Sequence, residues 1–221
     1  MVKKYVKKRR VFKKRPSVKK LAKKVNKLYR AIETKHFRVA GLGALPDNDP
    51  SLAIRPYGFG VGTGDYGARI GDKITAKWLK FKSIWDLSPG IGGVAARIIV
   101  FVMKANPDAI ANSWITIYNL YQESAFSNSL NVVNANKDYD NKSNFVTLYD
   151  KKVCMNPTTE TLTTSKAWDF DIRIPPALQN VQYFSGSGSS ISKNELFIAL
   201  IAEQDSSFAI NYNAEIFYQD A

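Results

Sequence analysis

Residues 208–218 read FAINYNAEIFY, and in this stretch Phe208, Ile210, Tyr212, Ala214, Ile216 and Tyr218 fall on alternate positions with mostly polar neighbours between them. A period of two is what an extended strand with one buried face requires, because successive side chains point to opposite sides of the pleat. The same alternation occupies 168–174, WDFDIRI, where Trp168, Phe170, Ile172 and Ile174 are separated by Asp169, Asp171 and Arg173. Working outward, Ile74, Ala76 and Trp78 alternate with Thr75 and Lys77. The phase then slips so that Leu79 and Phe81 alternate with Lys80 and Lys82, as a β-bulge produces. Residues 95–103, AARIIVFVM, form a β-branched run suited to a strand buried on both faces.

These patterns predict strands at 35–42, 72–86, 94–104, 145–154, 167–174, 181–184, 194–203 and 207–219, with long connections and no recurring helical crossover. Long loops between antiparallel strands favour a Greek-key sandwich over a meander. Eight strands in two packed sheets make a single antiparallel jelly roll. Residues 41–72 are rich in Gly, Pro and Asp and read as a long loop region. Residues 109–120 are compatible with helix or strand, and 131–144 and the SGSGSS segment at 185–190 read as exposed loops.

The charge is distributed unevenly. Residues 1–38 hold 17 Lys or Arg against the single acid Glu33, whereas the remaining 183 residues hold 15 against 18. Like charges at this density oppose collapse, so residues 1–34 are expected to be a disordered basic arm and 35–221 the jelly-roll domain. The arm's natural partner is a polyanion. Candidate nucleic-acid contacts are Lys3, Lys4, Lys7, Lys8, Arg9, Arg10, Lys13, Lys14, Arg15, Lys19, Lys20, Lys23, Lys24, Lys27 and Arg30. Within them Lys7, Lys8, Arg9, Arg10, Lys13, Lys14 and Arg15 have the density of a nuclear import signal. Val18, Leu21, Val25, Leu28 and Ile32 recur at spacings of three and four, one apolar stripe of a helix that follows Pro16 and Ser17.

Little in the chain suggests catalysis. His36 is the sole histidine and Cys154 the sole cysteine, so no triad, thiolate zinc site or intrachain disulfide can be built. His36 reads as a polar residue at a strand start and Cys154 as a small buried apolar one. Gly62, Gly64 and Gly67 have the spacing of a dinucleotide loop, but no strand precedes and no helix follows, so they read as turn residues. Asn134, Asn136, Asp138 and Asp140 resemble the start of a calcium loop that lacks its glycine and distal Glu, with Lys137 inside it; solvated loop is the reading. No cofactor and no metal are expected. Tyr57, Phe59, Tyr66, Trp78 and Trp85 are candidates for stacking on unpaired bases. The charged N-terminus has no apolar signal region, and the longest apolar runs are too short to cross a bilayer, so an intracellular product without membrane insertion is expected. The sequon at Asn141 is then expected to stay unused.

Five segments, GDKITAKWLKFKSIW from Gly71, ARIIVFVMKANP from Ala96, NFVTLYDKKVCM from Asn144, NELFIALIAEQD from Asn194 and AEIFYQD from Ala214, resemble in order the strand series of small icosahedral capsid proteins. In particular they are similar to coat proteins of circovirus-like, Rep-encoding single-stranded DNA viruses, whose arms are often arginine-dense where this one is rich in lysine. The resemblance implies a homo-oligomeric shell of 60 copies with the arm inside on circular single-stranded DNA, no enzymatic activity, import of the new coat to the host nucleus through importins, and residence in the virion. Sixty copies of residues 1–38 would carry a net of roughly 960 positive charges, enough for on the order of a thousand phosphates. The alternative from composition alone is a cellular nucleic-acid-binding protein of ribosomal or chromatin type with a basic tail. A jelly-roll enzyme fares worse, since one histidine cannot supply a metal cluster.

Overall fold

In the computed structural model the residues described are 17–32, 34–44, 51–58, 61, 68–89, 93–105, 144–156, 164–185, 190–202 and 208–220. The chain divides into two units, Met1–Glu33 and Thr34–Ala221. The first contains the helix α1 (Val18–Ile32). The second contains nine strands among its described residues: β1 (Lys35–Ala44), β2 (Ser51–Ile54), β3 (Lys73–Leu87), β4 (Val94–Ala105), β5 (Phe145–Met155), β6 (Thr164–Arg173), β7 (Asn180–Tyr183), β8 (Ile191–Ala202) and β9 (Phe208–Asp220).

All the strand pairings are antiparallel, and eight strands make two four-stranded sheets. One runs β1-β9-β3-β6 and the other β2-β8-β4-β5. Apart from the β4–β5 hairpin, successive sandwich strands thus cross from one sheet to the other, which is the jelly roll expected from the sequence. The ninth strand, β7, is a corner piece. It pairs with Lys73–Thr75 at the start of β3 and with the first residues of β8, linking the two sheets at one end. Phe184 N–H donates to the Ser190 carbonyl at 3.0 Å, closing the β7–β8 connection.

The core lies between the sheets. Leu79, Phe81 and Trp85 of β3 and Ile216 and Tyr218 of β9 join one buried cluster with Ile98, Val100 and Val102 of β4 and Leu196, Ile198 and Leu200 of β8. Burial of such side chains contributes about 1.5–3 kcal/mol each, which makes this cluster the main stabilising term of the domain. The β4 run is buried on both faces: Ile99, Phe101 and Met103, which point away from that cluster, are as inaccessible as their neighbours. Phe101 stacks on Phe197 at 5.3 Å between centroids on this second face. Arg97 forms a fork with Asp150 of β5, Nε to Oδ1 at 2.7 Å and Nη2 to Oδ2 at 2.9 Å, so its buried charge is matched.

Three expectations need correction. The stretch 41–72 is not one long loop, because β1 continues to Ala44 and SLAI at 51–54 is the β2 edge strand. Segment 181–184 is β7, the corner piece, and not one of the eight sandwich strands; the expected count was right because β2 replaces it. Cys154 is exposed rather than buried, since it points outward between the inward-facing Val153 and Met155. The phase slip in β3 is present, but the bulge lies between Ala76 and Trp78. Trp78 therefore faces outward, opposite to Ile74 and Ala76. The loop readings at 109–120 and 131–143, the calcium-like run, the Asn141 sequon, Gly62, Gly64 and Gly67 lie outside the described residues.

Next to the β7 corner, the fully buried Arg69 places its guanidinium 3.8 Å from the Tyr183 ring centroid and donates to the Gly71 carbonyl. Tyr183 donates its hydroxyl to the Tyr57 carbonyl at 3.0 Å. Lys35 bridges to Asp220 at 2.6 Å, and the Ile70 N–H donates to the same carboxylate at 3.0 Å. Together these contacts tie the chain between β2 and β3 to the C-terminal ends of β7 and β9. Burial pushes the Tyr57, Tyr183 and Tyr218 phenols above their ordinary range, so they remain neutral.

Candidate nucleic-acid interface

The helix α1 begins where the sequence predicts, after Pro16, with Ser17 accepting the first backbone hydrogen bonds from Lys20 N–H at 2.8 Å and Leu21 N–H at 3.1 Å. Lys19, Lys20, Lys23, Lys24 and Lys27 are exposed on it, and its first turn holds no acid. Lys19–Lys23, Lys20–Lys23, Lys20–Lys24, Lys23–Lys27 and Lys24–Lys27 are like-charge pairs at spacings of three and four, each destabilising an isolated helix by about 0.2–0.5 kcal/mol. A polyanion laid along the helix removes that cost and gains the Coulomb attraction, so helix formation and phosphate binding favour each other. Arg30 lies in the same helix, and Lys3, Lys4, Lys7, Lys8, Arg9, Arg10, Lys13, Lys14 and Arg15 lie outside the described residues.

The body presents a second surface on the outer face of the β1-β9-β3-β6 sheet. Strand register sets Arg173, Trp78, Phe217 and His36 in one row across that sheet, followed by a row of Asp171, Lys80, Glu215 and Arg38. Trp78 stacks on Phe217 with centroids 4.9 Å apart, Lys80 Nζ lies 5.2 Å from the Phe217 centroid, and the His36 ring lies 5.9 Å from it. His36 Nε2 is 3.8 Å from Glu215, and Arg38 donates to Asn213 Oδ1 at 2.8 Å. Further along, Lys82, Ile84, Ala167, Asp169, Asn211 and Asn213 line a shallow groove of about 320 Å³. Acids and bases alternate here, so this face offers aromatic surface and amides but no net field comparable with the arm.

Of the aromatic residues singled out in the sequence, Tyr57 and Trp85 are fully buried and cannot stack on a base. Trp85 donates its indole N–H to Ser83 Oγ at 2.9 Å inside the core. Trp78 is 38% exposed and remains accessible, while Phe59 and Tyr66 lie outside the described residues. Sequence reading missed Phe217, the residue on which Trp78 stacks. Its signal was the polar phase of the 208–218 alternation, in which an aromatic residue stands where a polar one is expected. Among the described residues no group of three His, Cys, Asp or Glu is placed to hold a metal, and no helix is long and apolar enough to cross a membrane. His36 sits on β1 opposite Phe217, and Cys154 on β5 opposite Ala95, so the two singletons belong to different sheets.

Comparison with known proteins gives one kind of match. No family model matches the chain, and no curated protein does. A solved structure described as the T13 IBDV viral particle, "a missing link in icosahedral viruses evolution", aligns over 86% of this chain and 40% of its own at 8% identity. The likeness to a viral particle is weak. Its TM-score of 0.27 is too low to support a reading of this chain, which spans well under half the length of that protein.

Proposed function

We propose that this protein is a structural capsid subunit whose body, residues 35–221, builds a closed shell and whose arm, residues 1–34, condenses single-stranded nucleic acid inside it. The observation that carries the reading is the joining of a jelly-roll body with near-balanced charge to an arm holding 15 Lys or Arg and one acid. A shell needs rigid subunits that meet through large complementary surfaces, and a sandwich with long loops supplies both. The arm attracts phosphate without reading bases, so packaging is insensitive to sequence and weakens as salt rises.

The strand series and its arm favour a circovirus-like coat of 60 copies around circular single-stranded DNA, with import through the Lys7–Arg15 cluster before assembly. The role is structural rather than enzymatic. Negative-stain electron microscopy of size-fractionated full-length protein, with the 260/280 nm absorbance ratio read on the same fraction, tests it. Uniform spheres with a nucleic-acid-like ratio are expected. A small soluble species at physiological salt would replace this reading with a cellular nucleic-acid-binding protein. A reporter fused to residues 1–38 is expected in the nucleus, and its retention in the cytoplasm would remove the import role.

A further inference from the structure

The stripe on α1 has a finer organisation than amphipathicity. Val18, Leu21, Val25, Leu28 and Ile32 follow the strict 3-4-3-4 spacing of a coiled-coil seam, with β-branched residues at the three a positions and Leu at both d positions. That choice favours a parallel two-stranded pair. The flanking e and g positions are taken by Ala22, Lys24, Tyr29 and Ala31, of which only Lys24 is charged. The remaining cations, Lys19, Lys20, Lys23, Lys27 and Arg30, occupy b, c and f, on the side away from the seam. Val18, Leu21, Val25 and Leu28 are 85, 51, 46 and 61% exposed, so the seam is open.

We propose that α1 pairs with α1 of a second copy of this chain as a short parallel coiled coil, and that the pair forms on single-stranded nucleic acid. The charge placement is what selects this occupant. Register puts Lys24 at g opposite Tyr29 at e of the other copy, a cation beside an aromatic residue, and puts no like charges across the seam. Two heptads bury far less than the roughly 1,200 Å² of a stable free interface, so α1 does not dimerise the protein by itself. Pairing doubles the density of outward cations. The pair therefore binds a polyanion more tightly than two separate helices do, and by linkage the polyanion tightens the pair.

This inference rests on the arm being the nucleic-acid-binding segment, and its test separates the two. In full-length protein carrying Cys154→Ser, so that no other thiol is present, Val25→Cys places a thiol at a and Lys23→Cys places one at f. Position a brings two Cα atoms of a parallel pair within disulfide reach, and position f does not. With oligothymidylate under mild oxidation, covalent dimer from Val25→Cys is expected about tenfold faster than from Lys23→Cys. Adding Leu21→Lys and Leu28→Lys to Val25→Cys raises the charge while breaking the seam. Cross-linking is then expected to fall to the Lys23→Cys rate with oligothymidylate affinity kept or increased. Equal rates at positions 25 and 23 would overturn pairing even if the protein forms nucleic-acid-filled shells. Equal rates together with partitioning into anionic vesicles would assign the stripe to a lipid surface instead. A preference for position 25 in protein that forms no shells would uphold pairing and refute the capsid reading.

Discussion

The two regions of this chain use the same kind of periodic apolar pattern and reach opposite ends. In the body, Leu79, Phe81, Trp85 and Ile98 are fully buried, because β3 and β4, which carry them, have partners on both edges and a second sheet over their inner face. In α1 the apolar stripe is between 46 and 85% exposed, and 15 residues of Lys-rich helix are marginal in isolation. The difference shows that an apolar period specifies an element, while burial requires enough neighbouring surface. The body supplies its own, whereas Val18, Leu21, Val25 and Leu28 of α1 stay exposed.

The largest test of that contrast is removal of residues 1–34. The remainder carries 17 Lys or Arg against 18 Asp or Glu, so its affinity for oligothymidylate at low salt is expected to fall about a thousandfold or more. Thermal unfolding of the body is expected to stay within about 2 °C, since the deleted residues contribute nothing to the described core. Filter binding and differential scanning calorimetry check the two halves. Retained affinity would move the interface to the Trp78–Phe217 face.

Conversely, Trp85→Ala attacks the body alone. The indole is fully buried and hydrogen-bonded, so the change costs about 3–5 kcal/mol by urea denaturation. Destabilisation under about 1 kcal/mol would mean that the sandwich is not packed around this residue. A smaller effect is expected from the Arg97–Asp150 fork, whose side chains are 7 and 17% exposed. Arg97→Ala leaves a carboxylate poorly solvated and is expected to cost about 3 kcal/mol, whereas Arg97→Met with Asp150→Leu is expected to recover most of it. If the double variant is no better than the single one, the pair stabilises by more than its mutual compensation.

The strands were legible where side chains carry the signal. Alternation in 208–218 and 168–174, and the β-branched run at 95–103, read directly as β9, β6 and β4 because burial of one or both faces dictates residue type. SLAI at 51–54 was not legible: four residues in a segment bounded by Pro50 and, beyond Arg55, Pro56 carry too short a period, and what makes them β2 is the edge of β8. The outward turn of Trp78 was equally hidden, since a bulge can be placed on either side of Lys77 with the same sequence, and only pairing with β9 decides it. Cys154 was misread because residue type alone predicts burial, and β5 exposes alternate positions near its end. On the arm, the spacing read directly as the stripe of α1, but Phe217 and the rows beside it arise from register among four strands far apart in sequence.

The smallest expected effect separates the buried corner from the open arm by pH. Burial is the main cause that raises the Tyr183 phenol, with Arg69 opposing it and Tyr218 and Glu195 adding to it; burial likewise dominates at Tyr57 and Tyr218. In the unfolded chain a tyrosine ionises near pH 10, so above that pH the unfolded state has lost protons that the folded state keeps. Stability from these groups is complete below pH 10 and declines as pH climbs toward their folded values. Tyr183→Phe removes the hydrogen bond to the Tyr57 carbonyl and is expected to cost about 1 kcal/mol at pH 8. It also removes one titrating group, so the variant loses less stability than the parent between pH 9.5 and pH 11. Urea midpoints at pH 8, 9.5 and 11 measure both terms. Parallel declines in the two proteins would show that the Tyr183 hydroxyl is not held neutral by the corner, and that this end of the sandwich is open to water as the arm is.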